Sequence, residues 1–180
     1  MIDMKAAYAT RPAYALIALG LLMLLAFNGC GYRFSGAGEM PGNIQRIAID
    51  IFENRSGETG IESIITNDVI NEFNRNPGIS VTGRDEAEAV LSGVIRTARI
   101  RSISHRSAFT TTEREITIVV DVTLSTPGGK ILWSAKGIDA SSDYTVSDEK
   151  IRTEQNKKTA VADLSGKLAQ RIFIRMTDRF

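Results

Sequence analysis

Between Arg96 and Arg114 the chain carries five arginines, Arg96, Arg99, Arg101, Arg106 and Arg114, against one acid, Glu113, a local charge of +4. Guanidinium groups grip phosphate and carboxylate through paired, planar hydrogen bonds, so arginines gathered at one place can hold a phosphorylated ligand. Charges on strands also keep sheet edges from pairing with other chains, and the residues alone leave both readings open. Arg99, Arg101, His105 and Arg106 are the candidate anion-binding residues. His105 is the sole histidine, and it stands beside Arg106 in a Ser/Thr-rich stretch with no Gly-x-Ser-x-Gly elbow to supply a nucleophile. The acid pairs Asp85/Glu86, Glu113/Glu115 and Asp139/Asp143 are expected in or beside turns, where nothing desolvates one carboxyl relative to the other. No catalytic residue is assigned, and the expectation is a binding or structural protein, not an enzyme. One Cys and one His exclude a Cys/His zinc site, an iron–sulfur cluster and a disulfide framework, so neither metal nor cofactor is expected.

The one cysteine, Cys30, acquires its chemistry from what precedes it. Ala13–Phe27 is an uncharged apolar run behind a weakly basic start with Lys5 and Arg11, and Asn28-Gly29 separates it from Cys30. That is the layout of an export signal, too short for a comfortable membrane-spanning helix. The junction is similar to a bacterial lipobox, with Phe27 where Leu is usual and Asn28 where Ala or Ser is usual. It implies cleavage before Cys30 and acylation of its thiol, several chains giving an anchor where one would be marginal. Gly31 in the second mature position implies sorting to the outer membrane. Residues 1–29 are read as signal peptide, 30–43 as a lipidated Gly-rich tether and 44–180 as one folded domain. Without residues 1–29 the chain is neutral, so no global basic field draws it to nucleic acid.

Positioning these groups requires a scaffold. Ile47, Ile49 and Ile51 alternate within Ile44–Phe52, a first strand. Ile61, Ile64, Ile65, Val69 and Phe73 fall at helical spacing and Asn76-Pro77-Gly78 ends that helix. A short strand is expected at Ile79–Thr82 and a long one at Ala89–Ile103, bent near Gly93. Residues 104–112 read as a polar hairpin connection. Ile116, Ile118, Val120, Val122 and Leu124 alternate with polar residues, the mark of an antiparallel sheet with one covered face. Thr126–Lys130 is a turn, Ile131–Ile138 a strand and Asp139–Ser147 a loop. A last helix runs over about 148–175, with Val161, Leu164, Leu168 and Ile172 on its apolar face. The order β-α-β-β-β-β-α implies an α+β two-layer sandwich, with two helices packed on one face of a mostly antiparallel sheet.

Cys30-Gly31-Tyr32-Arg33-Phe34-Ser35-Gly36, Pro41, the strand Arg46–Phe52 and Glu53-Asn54-Arg55 resemble the LptE family of lipopolysaccharide-assembly lipoproteins. The likeness continues through Ile61–Phe73, Ala87-Glu88-Ala89-Val90-Leu91-Ser92-Gly93 and Gly129-Lys130-Ile131-Leu132-Trp133. The likeness does not extend to the long polar C-terminal tail of some members, so no function housed in such a tail is expected from these residues. The resemblance implies a lipid-anchored protein on the periplasmic face of the outer membrane. It would plug and help assemble an LptD-type β-barrel and assist lipopolysaccharide transport to the outer leaflet. A lipoprotein that docks or activates cell-wall synthesis or secretion machinery is the alternative, because Phe52-Glu53-Asn54-Arg55 also suits such proteins.

Overall fold

A computed structural model describes residues 40–103 and 112–178. The elements are β1 (Arg46–Ile49), β2 (Glu53–Asn54), α1 (Ile61–Asn74), β3 (Ser80–Val81), β4 (Ala89–Ile103), β5 (Thr112–Ser125), β6 (Ile131–Val146) and α2 (Lys150–Thr177), with a 3₁₀ turn at Pro41–Asn43. They form one open mixed sheet in the order β3-β1-β4-β5-β6, and β2 pairs further along β4. β1, β2 and β3 make the parallel pairings. β4, β5 and β6 form a long antiparallel meander that supplies most of the sheet. The expected α+β sandwich with two helices is the architecture found.

α1 and α2 run side by side in the same direction. At their starts Lys157 Nζ meets Glu58 Oε2 at 2.6 Å, just ahead of α1. At their ends the Phe73 and Phe173 rings meet edge to face, 5.1 Å between centroids. The apolar stripe of α1 (Ile61, Ile65, Val69, Phe73) and that of α2 (Val161, Leu164, Leu168, Ile172) are buried with Ile116, Ile118, Val120, Val122 and Leu124 of β5. Ile64, expected on the α1 stripe, is instead 37% exposed. Thr66 takes a buried place, its hydroxyl accepting from Phe52 N–H at 3.0 Å and donating to the Glu62 carbonyl at 2.7 Å. A helical stripe wider than the sheet beneath it can leave one apolar residue outside and admit a satisfied hydroxyl inside.

Three expectations are corrected. The first strand is two pieces, because residues 50–52 bulge out against Ser92 and Gly93 before pairing resumes at Glu53↔Val94. This bulge leaves Ile51 74% exposed and swings Phe52 inward to 1%. Phe52 lies over Gly93, where a Cβ would come within 3.0 Å of three ring carbons. Glycine is therefore required there by close approach. The irregularity in β4 itself comes later, between Ile95 and Thr97, so Arg96 is the extra residue. Finally, Asp139–Ser147 is not a loop: β6 continues to Val146, paired residue by residue with β5. A polar, acid-containing segment has low strand propensity alone, and the partner strand overrides it. Of the acid pairs expected in or beside turns, Asp139/Asp143 lies within β6, and Glu113/Glu115 lies on β5, which already begins at Thr112.

The arginine face: a candidate functional site

Beyond Ile95, β4 leaves the parallel strands behind and continues with β5 and β6 as a three-stranded ribbon. Cross-strand register sets its side chains in rows. Arg101 stands opposite Glu115, which stands opposite Asp143; Arg99 opposite Thr117 and Ser141; Thr97 opposite Val119 and Asp139. Successive strand residues point to opposite faces. Ile116 and Ile118 are buried on the helix side, so these rows belong to the open face. Arg99 and Arg101 therefore project together from one side, about 7 Å apart along the strand.

The cluster divides on this geometry. Arg96, at the bulge, places Nε 3.4 Å from Asp121 Oδ2. The other Asp121 oxygen accepts the Gly137 N–H at 2.9 Å, and Gly137 has φ of +67° at a second register shift, in β6. Arg96, Asp121 and Gly137 thus pin the three strands where the ribbon leaves the sandwich. Arg96 also adds a positive field at Glu53, whose carboxyl is held below its ordinary value chiefly by its hydrogen bond from Arg55. Arg114 stands opposite Ser102 and Tyr144 on the helix side of the ribbon. Among the described residues, the side chains of Arg99 and Arg101 make no hydrogen bond or ion pair, and both are exposed. His105, Arg106 and Cys30 lie outside the described residues.

The Asp121 pin went unread in the sequence. Its signal is a lone carboxylate in the Thr/Val row between Val120 and Val122. The crevices on the described surface are open. One of about 280 Å³ is lined by Ile138, Asp139, Arg171, Ile174 and Arg175. Another, about 490 Å³, lies between β6 and α2 and includes Tyr144, Asn156 and Asp163. Among the described residues no group of three or more His, Cys, Asp or Glu side chains could hold a metal ion. No described helix is long and apolar enough to cross a membrane. The face thus presents two exposed guanidinium groups, Arg99 and Arg101, on a polar sheet surface that also carries Thr117, Ser141, Glu115 and Asp143.

Residues 44–176 match the model of the LptE lipopolysaccharide-assembly family. The chain belongs to the LptE family. Among solved structures it is similar to uncharacterized lipoprotein B of Nitrosomonas europaea, at 17% identity and TM-score 0.55, over 82% of this chain and 90% of that one. It is also similar to a minor lipoprotein of Acinetobacter baumannii, at 12% identity and TM-score 0.46, over 74% and 91%. At such identities the first likeness speaks to the fold. No curated protein matches the chain. The LptE match takes in every strand of the described sheet, all of α1 and α2 up to Met176.

Proposed function

We propose that this LptE-family protein is an outer-membrane lipoprotein, anchored through acylated Cys30 on the periplasmic face, that plugs and helps assemble an LptD-type β-barrel. In that position it assists lipopolysaccharide transport to the outer leaflet, and its role is non-enzymatic. The observation that carries the reading is the family match over residues 44–176. The open sheet face supports it, because a surface of Thr, Ser, Arg and carboxylates suits a wet barrel lumen. Arg99 and Arg101, with His105 and Arg106, contact the phosphates of lipopolysaccharide.

The deciding experiment is purification of the tagged full chain from gently solubilised outer membranes. A stoichiometric complex with a large β-barrel is expected, with less correctly assembled barrel when the protein is depleted. Recovery of a peptidoglycan synthase or a secretion pore in place of the barrel would transfer the protein to the alternative role. For the ligand, Arg99→Ala/Arg101→Ala removes two unpartnered cations. Charge-assisted hydrogen bonds contribute about 1.5–3 kcal/mol each before screening, so binding should weaken roughly tenfold or more. Undiminished lipopolysaccharide binding by the double variant would remove these residues from the site.

A further inference from the structure

The sheet treats its edges differently. β3, at one end, is two residues long, too short to template a partner. β6, at the other end, is long but guarded by α2. Arg171 donates from Nη1 to the Asp139 carbonyl, and Asn156 Nδ2 donates to the Thr145 carbonyl at 2.8 Å. Gly137 adds a left-handed kink to the same strand. The third edge is the outer side of β4 beyond Ile95. There β2 has ended, with Arg55 N–H on the Ile95 carbonyl at 2.9 Å, and the chain has turned away toward α1. From Thr97 to Ile103, seven residues, β4 has β5 on one side and no strand on the other among the described residues. This edge has no proline and no further register shift. It is lined by Arg99 and Arg101 toward the open face, while Ile100, toward the helix side, is 38% exposed.

We propose that the outer edge of β4, Thr97–Ile103, is a strand-addition site for an extended acidic segment of a partner protein. Its carboxylates would alternate with apolar residues, sitting beside Arg99 and Arg101 on one face and beside Ile100 on the other. Backbone hydrogen bonds along the edge supply affinity and the alternating side chains supply selectivity. A second copy of this chain is a poor occupant. Edge-to-edge pairing would bring the arginines of both copies onto one face, and like charges in adjoining strands repel. The inference goes beyond the lipopolysaccharide reading. It uses the β4 backbone as well as its charges, and an acidic strand and a phosphate would compete for the arginine pair.

The test uses the full chain in detergent micelles with a synthetic nonapeptide of alternating Glu and Val. The controls are a Lys/Val counterpart and a Glu/Val peptide methylated on alternate backbone nitrogens. The Glu/Val peptide should slow amide exchange within residues 97–103 and leave β6 unchanged. The Arg99→Glu/Arg101→Glu variant should bind it at least tenfold more weakly and take the Lys/Val peptide instead. No protection of β4, protection of β6 in its place, or equal binding of the methylated peptide overturns the proposal. Unchanged binding by the charge-reversed variant would do so too. Because the readout is backbone protection by a phosphate-free peptide, its failure is separable from a failure of lipopolysaccharide binding.

Discussion

Gly93→Ala tests the packing that sets where the ribbon begins. A Cβ at residue 93 would fall within 3.0 Å of Cε2, Cδ2 and Cζ of Phe52, which is fully buried. Neither partner can easily yield. Gly93 is held between Phe52 and the β5 strand at Val122, and Phe52 is tied by its own N–H to Thr66. Forcing a methyl into such a core costs about 1–3 kcal/mol, from which about 0.5–1 kcal/mol is recovered because alanine loses less backbone entropy than glycine. The net expectation is a loss of roughly 1–2 kcal/mol, a fall in Tm of about 2–8 °C for a domain of this size. The assay is urea unfolding of Gly93→Ala, Phe52→Leu and the double variant. Phe52→Leu removes the ring, so the alanine should cost much less in that background, with a coupling of at least about 0.5 kcal/mol between two touching residues. Strictly additive losses, or a neutral Gly93→Ala, would refute the close-approach argument.

Arg96→Ala should leave lipopolysaccharide binding within about twofold while loosening the ribbon, seen as faster amide exchange around Asp121 and Gly137, since this arginine is already engaged by Asp121. Lys157→Ala removes the partner of Glu58 at the start of the helix pair, with side chains only 20% and 29% exposed. A thermal-melt loss of about 1–2 kcal/mol is expected, between the values for surface and buried pairs. The Glu88 carboxyl is held below its ordinary value of 4.5 first by the Gln45 N–H and then by the Arg46 N–H. Its stabilisation is complete above the unfolded value and is lost as pH falls through the lower folded one. Glu88→Gln should therefore flatten the acid limb of a stability–pH curve measured below about pH 4.5. Cys30→Ala should leave an uncleaved, mislocalised precursor, and intact mass spectrometry finding an unmodified thiol at Cys30 in the native protein would end the anchor proposal.

Much of the fold was legible in the residues because its elements announce themselves locally. Period-two alternation from Ile116 to Leu124 and helical spacing from Val161 to Ile172 each report a buried face without knowledge of the partner. Ala89–Ile103 was legible to the residue, and the family likeness lay in short stretches spread along the chain. Tertiary structure decided what depends on a neighbour. Asp139–Val146 becomes strand only because β5 lies beside it, and Ile44–Phe52 breaks because Phe52 must reach over Gly93. The arginine cluster shows the division most clearly. Sequence determined that five cations fall within nineteen residues, since composition and spacing are written in the chain. Which of them are available was not written there. Arg96 is neutralised by an acid twenty-five residues away and Arg114 stands on the helix side. Arg99 and Arg101 are left side by side, because register and the bulge at Arg96, not spacing, choose the face each side chain meets.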